Sequence, residues 1–389
     1  MRHPKLLTYV AAMALSVLVG CGGGGGSGTS SVAFSSVQVM GDSLADSGVF
    51  GSLGAGSGYG RIFSVQASPG VTTSIWTELL AALVGAPQLC NFYTYTGGVS
   101  FITTPSCSSF GVGSGRINNR YQSVPESAAP FSIPNQIATA ASLGNFKSTD
   151  LLLIDGGGND AADLVEAFLT APTDSGAAFV GVVTSTLTPV SAINTALGSS
   201  DLATAGTLYM QALADEFYNS IKSSALDNGA THVSVLNIPA VTKTPRFQMV
   251  LASVESQTDA ATRATYEALF NVWIKAFNDR LASKFSGDSR VVVVDFYSAF
   301  LDQVAHPSQY GLTNVTDPAC PATGVGADHL PTYDFETCTA ASLSATQGKS
   351  SPDWWKTYAF SDGFHPTPYG YQLMSQLTAR SLAQAGWIK

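Results

Sequence analysis

Short apolar runs alternate along this chain with longer segments in which apolar residues recur at helical spacing. The short runs predict β-strands at residues 36–40, 151–154, 231–237 and 291–294. The longer segments predict helices at residues 74–84, 135–143, 161–169, 201–226, 258–285 and 366–385. Residues 151–154 and 291–294 contain no polar position, which is typical of parallel strands buried on both faces.

Strands separated by long helices predict a parallel sheet that is covered by helices on both sides. We therefore expect an α/β fold with a doubly wound, flavodoxin-like sheet in an α/β/α sandwich. Two long insertions interrupt this pattern, at residues 85–135 and 298–361. So long a loop in a compact fold is either disordered or functional. A functional role is favoured for the first insertion by its aromatic residues Phe92, Tyr93, Tyr95, Phe101 and Phe110. In the second insertion, Trp354 and Trp355 either line a ligand pocket or pack the insertion.

The first predicted strand ends at residues 41–44, whose sequence is G-D-S-L. A Gly followed by two small polar residues suits a tight turn into a helix. A Ser on such a turn is lifted above the strand ends, and the unpaired N–H groups of the helix start point at the same space. Taken alone, this segment favours a capping role for Ser43 over a nucleophilic one.

Two further segments change that balance. Asp362 and His365 lie three residues apart before a predicted helix. The carboxylate can therefore hold the Nδ1 proton of the imidazole and leave Nε2 free to accept a proton from a Ser. The strand at 151–154 leads into residues 155–160, D-G-G-G-N-D, where the Asn159 amide is able to donate to a developing oxyanion. This segment contains no phosphate-binding G-x-G-x-x-G or G-x-x-x-x-G-K-[ST] motif.

Together these segments resemble the SGNH, or GDSL-type, hydrolase superfamily, and most of all its secreted bacterial lipase, esterase and phospholipase branch. Three blocks of that family have counterparts, in the family's order, at residues 41–44, 157–160 and 362–365. The resemblance implies that Ser43 is the nucleophile, His365 the base and Asp362 the group that orients the base.

The resemblance also implies an oxyanion hole made of the Ser43 N–H, the Asn159 side chain and one more backbone N–H. The block that supplies the last donor is matched less well by residues 109–116, S-F-G-V-G-S-G-R, where Ser replaces the usual Asn and the second Gly. The expected donor is Gly113, and the alternatives are Ser114 and Gly115.

The N-terminus has the features of an export signal. A basic start and a short apolar core predict a signal peptide over residues 1–20. Residues 18–21, L-V-G-C, resemble a bacterial lipobox, which implies cleavage before Cys21 and lipidation on it; an ordinary signal peptide cut elsewhere is the alternative. Residues 21–35 are expected to form a flexible Gly/Ser tether, followed by a hydrolase domain over 36–389. We therefore expect an exported lipoprotein of the cell envelope, in the outer membrane, or a secreted protein.

The other four cysteines fall in two local pairs, and exported proteins permit disulfides. Four cysteines allow three connectivities, of which nearest-neighbour pairing, Cys90–Cys107 and Cys320–Cys338, is the simplest. No C-x-x-C or H-E-x-x-H spacing occurs, so we expect no metal, and we expect no cofactor. Only 12% of residues are charged, the formal net charge is −9 and no basic cluster is present, which argues against nucleic-acid binding.

The resemblance implies a serine esterase or lipase that hydrolyses carboxylic esters, with short to medium acyl chains or lipids, through an acyl-enzyme intermediate. A polysaccharide O-acetylesterase is the alternative among enzymes. A catalytically dead, surface-anchored binding lipoprotein is the alternative from another class, and replacement of Ser43, Asp362 or His365 would favour it. None of the three is replaced. We expect a monomer whose partners are an ester substrate and, through the lipid anchor, a membrane.

Overall fold

The computed structural model describes residues 32–53, 56–98, 100–119, 130–185 and 191–389. The predicted signal peptide, the predicted lipidation site Cys21 and most of the predicted tether lie outside the described residues. Within these ranges, no helix is both long enough and apolar enough to cross a membrane.

The described chain alternates between strands and helices in the way the hydrophobic pattern predicts. The strands are β1 (Ser36–Met40), β2 (Tyr93–Gly97), β3 (Ser100–Thr103), β4 (Asp150–Ile154), β5 (Val233–Leu236), β6 (Val291–Val294), β7 (Asn314–Pro318), β8 (Gly324–Val325), β9 (Pro331–Thr332) and β10 (Tyr358–Phe360). The helices are α1 (Trp76–Leu83), α2 (Ile133–Ser142), α3 (Gly158–Asp174), α4 (Ala177–Val183), α5 (Ser191–Gly198), α6 (Leu202–Ser224), α7 (Pro245–Gln257), α8 (Ala260–Phe285), α9 (Phe296–Ala305), α10 (Ala340–Ser344) and α11 (Pro368–Gln384).

The central sheet is parallel and has the order β1-β4-β5-β6. Every residue of β4 and β5 is buried, including the polar residues Asp150 and Ser234. Along β4, Leu152 and Ile154 pack into the hydrophobic core on one face of the sheet, whereas Leu151 and Leu153 pack into the core on the other. The first core is completed by helices that include α2, α3, α6 and α8, and the second by α1, α9 and α11. The predicted α/β sandwich is thereby confirmed.

An irregular segment, residues 108–112, extends the sheet beyond β1. Val39 N–H donates to the Ser108 oxygen at 3.0 Å, and Phe110 N–H donates back to the Val39 oxygen at 2.7 Å. The bridge between Val39 and Ser109 is parallel. If the five parallel segments are numbered in chain order, with the edge segment as the second, their spatial order is 2-1-3-4-5. The direction of the sheet connections therefore reverses at β1. In doubly wound sheets, ligands bind at such a reversal, outside the carboxyl ends of the strands.

The predicted helix at residues 258–285 corresponds to α8, but the helix before it, α7, is not predicted from the sequence. A break at Thr258 and Asp259 separates the two helices. The Asp259 side chain caps α8 by accepting the Thr262 N–H at 2.7 Å, an arrangement that favours a new helix start. The short predicted helix at residues 161–169 is also longer than expected, because α3 begins at Gly158, directly after the glycines that follow β4.

Both insertions are ordered around disulfides, and the predicted pairings Cys90–Cys107 and Cys320–Cys338 are confirmed. The first insertion contains the β2–β3 hairpin, whose aromatic residues contact one another in a chain of ring pairs: Phe92, Tyr93, Tyr95, Phe101 and Phe110. The second insertion has its own small core, in which Cys320 and Cys338 are buried beside Trp355. The disulfides fit a protein that is exported to an oxidising compartment.

Candidate active site

The carboxyl end of β1 turns sharply at Gly41, and buried polar side chains hold that turn. Gln136, fully buried on α2, accepts the Gly41 N–H at 2.7 Å and donates its amide to the Gly41 oxygen at 3.0 Å. The Asp155 carboxylate accepts the next N–H, that of Asp42, at 2.9 Å. A Cβ on residue 41 would lie 2.0 Å from Asp155 Oδ1, so only glycine fits this approach. The turn therefore delivers Ser43 to the reversal point of the sheet.

The structure brings Ser43, His365 and Asp362 together from opposite ends of the chain. His365 Nε2 lies 2.8 Å from Ser43 Oγ, and His365 Nδ1 lies 2.9 Å from Asp362 Oδ2. The other oxygen of Asp362 accepts the backbone N–H groups of Phe364 and His365, at 2.8 and 2.6 Å. The carboxylate is thereby fixed by the same short turn that carries the imidazole.

The surroundings of this pair favour a charged carboxylate and a basic imidazole. Burial lowers the pKa of His365, but the charge of Asp362 and its hydrogen bond outweigh burial, so the pKa is raised above 6.5. Burial acts to raise the pKa of Asp362, yet the imidazole and the two backbone N–H groups hold it below its usual range. The rings of Phe63 and Phe335 lie 5.1 and 5.6 Å from the imidazole and shield it from water.

The Gly113 N–H, the expected second backbone donor of the oxyanion hole, is already engaged. It donates to Asp46 Oδ2 at 2.8 Å, while Asp46 Oδ1 accepts the N–H groups of Gly48 and Val49. Burial raises the pKa of Asp46 to about 6, although these N–H groups act to lower it. In this structure the Gly113 N–H is therefore bound within the protein and is not free for a ligand. The sequence gives no local sign of it, because Asp46 lies far from Gly113 along the chain.

Of the two alternatives, Gly115 is also engaged, since its N–H donates to the Val112 oxygen at 3.0 Å. Ser114 has the left-handed φ of +67° and is exposed. Among the described residues, the N–H groups of Ser114 and Ser43 have no hydrogen-bond partner. The backbone at Gly115 packs so tightly that a Cβ there would lie 2.9 Å from the Gly41 oxygen. The Ser114 amide therefore lies beside the serine turn and replaces Gly113 as the candidate donor.

The first two turns of α3 hold this loop with three side chains. Asn159 Nδ2 donates to the Gly115 oxygen at 2.9 Å, which leaves its second amide hydrogen for a ligand. Asp163, one turn further, pairs through both oxygens with Arg116, at 2.6 and 2.9 Å. Arg116 in turn donates to the Ser114 oxygen at 2.8 Å. The peptide group between Ser114 and Gly115 is therefore held from α3 through this ion pair.

The third of these side chains is Asp160. Its carboxylate accepts the N–H groups of Ile117 and Asn118, at 3.0 and 2.8 Å, and burial raises its pKa to about 6. Beneath the serine turn, Asp42 and Asp155 are also buried carboxyls. Burial raises the pKa of both, and the charge of Asp42 raises that of Asp155 further. The site is thus surrounded by acidic groups that bind backbone N–H groups rather than solvent.

A cavity of about 910 Å³ opens onto these groups and contains Ser43, Asn159 and His365 in its lining. Most of its walls come from α3, from α7 and from residues 328–331 of the second insertion. The five aromatic residues named for the first insertion, which lie between Phe92 and Phe110, do not line it. Trp354 and Trp355 do not line it either: they pack within the second insertion, where their indole N–H groups donate to Leu343 and Ser344. Of the two roles left open for these tryptophans, the structure shows packing.

Comparison with known proteins agrees with the motifs. The sequence model of the family described as GDSL-like Lipase/Acylhydrolase matches residues 37–378. A protein of Arabidopsis thaliana described as GDSL esterase/lipase EXL2 is 30% identical over 147 residues, which are 38% of this chain and 35% of that protein. The narrower resemblance to a secreted bacterial branch stays a prediction. Since the family match extends over most of the chain, from β1 through the segment with Asp362 and His365, the chain belongs to the GDSL-like lipase/acylhydrolase family, whose members are ester hydrolases.

Proposed function

We propose that this chain is a serine esterase or lipase that cleaves carboxylic esters through an acyl-enzyme intermediate. The observation that carries the proposal is the continuous hydrogen-bonded arrangement of Ser43, His365 and Asp362 at one end of a large cavity. A hydroxyl that shares a hydrogen bond with a carboxylate-oriented imidazole is the arrangement that activates a serine for acyl transfer.

In this mechanism Ser43 Oγ attacks the carbonyl carbon of the ester while His365 Nε2 accepts the hydroxyl proton. Asp362 keeps the other proton on Nδ1 and stabilises the imidazolium that forms. The imidazolium then donates its Nε2 proton to the leaving alcohol as the ester C–O bond breaks. A water molecule then attacks the acyl carbon while His365 Nε2 accepts its proton. The imidazolium returns this proton to Ser43 Oγ as the carboxylic acid leaves.

The oxyanion of each tetrahedral intermediate needs donors that are in place before the reaction. We assign the Ser43 N–H, the Ser114 N–H and the free amide hydrogen of Asn159. Ser114 belongs to the loop that Arg116 and Asp163 hold, and Asn159 donates to the Gly115 oxygen of the same loop. These two donors are therefore held in place in the free enzyme. Donors that are fixed in advance stabilise the charge without reorganisation when it forms.

The nucleophile is tested by replacing Ser43 with alanine. We expect Ser43→Ala to lower kcat for p-nitrophenyl butyrate by about 10⁴- to 10⁶-fold, because the covalent route is lost. Ser256→Ala, an exposed serine of α7 outside the cavity, is the matched control and should keep full activity. A serine-reactive phosphonate should label Ser43, and EDTA should leave the rate unchanged. Activity that chelation abolishes and zinc restores would show a different mechanism.

Asn159 separates transition-state stabilisation from substrate binding. Its amide should act most strongly once the substrate oxygen is charged, so Asn159→Ala should lower kcat by about 100- to 1,000-fold with little change in KM. Because the side chain also donates to Gly115, circular dichroism and urea unfolding must show that the variant remains folded. A higher KM at constant kcat would instead assign Asn159 to ground-state binding.

The pH profile should report the raised pKa of His365. Only the neutral imidazole accepts the Ser43 proton, so kcat/KM should rise with pH along a limb centred above 6.5. Asp362→Asn removes the charge that raises this pKa but leaves the burial that lowers it. We therefore expect the limb to move to lower pH and kcat to fall by about 10⁴-fold. An unmoved limb would mean that another group titrates.

We further propose that the enzyme is an exported lipoprotein anchored through Cys21. The lipobox-like residues 18–21, the glycine-rich stretch after them and the two disulfides support this location. The full chain expressed in a bacterium should partition with membranes, and Cys21→Ser should not be acylated and should lose that attachment. Cys90→Ser with Cys107→Ser is the control, since it changes thiols without touching the lipobox. An unmodified mature N-terminus other than Cys21, found by mass spectrometry, would contradict the anchor.

A further inference from the structure

Two helices present matching apolar stripes to the cavity. On α3 the stripe is Ala162, Val165 and Leu169, and on α7 it is Phe247, Val250 and Val254. Both follow the spacing i, i+3, i+7, which places three side chains on one face of a helix. Val165 and Phe247 are also buried in the core, while the other four residues are only partly buried. All six line the open space that leads from Ser43.

Both helices begin at the reacting groups and lead away from them. The helix α3 starts at Gly158, next to Asn159. The helix α7 starts at Pro245, and its Arg246 N–H donates at 2.9 Å to the oxygen of Gly363, the residue after Asp362. The stripes therefore start near the point where an ester carbonyl is held and continue away from it along the cavity.

The length over which each helix lines the cavity sets a limit on what the cleft can hold. Cavity-lining residues extend from Asn159 to Thr170 on α3 and from Arg246 to Gln257 on α7. At about 1.5 Å per residue, each series covers about 16 Å. With C–C bonds of about 1.5 Å, an extended hydrocarbon advances about 1.3 Å per carbon, so this distance holds about twelve carbons.

The charged groups of the lining do not interrupt the apolar path. Arg116 is paired with Asp163, Arg246 is paired with Asp328, and Glu166 is exposed at the rim. The volume of about 910 Å³ lies within the range of about 300–1,000 Å³ that is usual for cavities holding small ligands. Asp42 and Asp155, the other acidic residues of the lining, lie at the serine turn. The part of the path that leads away from Ser43 therefore suits a hydrocarbon that is attached to the reacting carbonyl.

We propose that the cleft between α3 and α7 is the acyl-chain site, and that the substrates are esters of fatty acids with about twelve carbons. This inference rests on the proposed esterase function and adds the class of acyl group to it. An acetyl group would leave the two stripes uncovered, so O-acetylated polysaccharide does not use this cleft.

The test is a chain-length series of p-nitrophenyl esters from acetate to palmitate, each below its micelle-forming concentration. Each buried methylene should raise kcat/KM about two- to fourfold up to about twelve carbons, after which the series should level off. Leu169→Trp should end the rise at about eight carbons and Ala162→Trp at about four, with butyrate hydrolysis retained in the first variant. The matched control is Ser256→Trp, on α7 but outside the lining, which should behave as the wild type.

Leu169→Asn is a second test that does not depend on the folding of the tryptophan variants, because it adds no bulk to a half-buried position. It should lower kcat/KM for the dodecanoate ester at least tenfold and change that for acetate less than twofold. A wild-type series that is flat, or that falls beyond butyrate, would overturn the proposal. So would an equal loss at every chain length in the variants.

A direct binding measurement separates this proposal from the esterase function. The Ser43→Ala variant should bind 11-(dansylamino)undecanoic acid, and Leu169→Trp added to it should weaken binding at least tenfold. If no ester is hydrolysed but the probe binds in this way, the proposed esterase function is wrong and the assignment of the cleft to an acyl chain is retained. If esters are hydrolysed but the probe does not bind, the cleft assignment fails. A dimer seen by sedimentation in that sample would assign the cleft to a second copy of the chain.

Discussion

The paired hydrogen bonds between Gln136 and the peptide groups of Gly41 fix the point at which the chain leaves the sheet. The Gly41 oxygen also accepts the Val112 N–H of the edge segment at 3.1 Å, whereas the Gly41 N–H donates to the Gln136 side chain. A buried amide side chain offers one donor and one acceptor at the right separation. With Asp155 on the following N–H, these contacts leave the Ser43 amide free and its hydroxyl within reach of His365.

The second loop of the site depends on α3 in the same way. Asn159, Asp160 and Asp163 each contact the loop after the edge segment, directly or through Arg116. A loop on its own would lose such a conformation to entropy, and a left-handed residue such as Ser114 adds strain. Fixing it to a rigid helix removes that freedom, so the candidate donors keep their positions without a ligand.

The sheet strands and the three motif residues are predictable from the sequence, whereas the free amide of the oxyanion loop and the helix α7 are not. Continuous apolar runs are local signals, so β4 and β6 were found, and the motifs that place Ser43, Asn159 and His365 at strand ends are local too. Which amide of residues 113–115 stays free depends on Asp46, whose contact with Gly113 is long-range. The helix α7 is not predicted, although Phe247, Val250 and Val254 recur at helical spacing, and its separation from α8 depends on the cap at Asp259.

The way α3 and α7 are placed has an electrostatic consequence as well. A helix carries about half a positive charge at its N-terminus, from peptide dipoles that lie along the axis. Both helices begin at the reacting groups, at Gly158 and at Pro245. The negative charge that forms on an ester oxygen beside Asn159 therefore lies at the positive end of α3, and the positive end of α7 lies beside the turn that carries Asp362 and His365. A hydrocarbon along the sides of the helices contacts apolar side chains instead. One pair of helices thus offers a polar end to the carbonyl and an apolar flank to the chain attached to it.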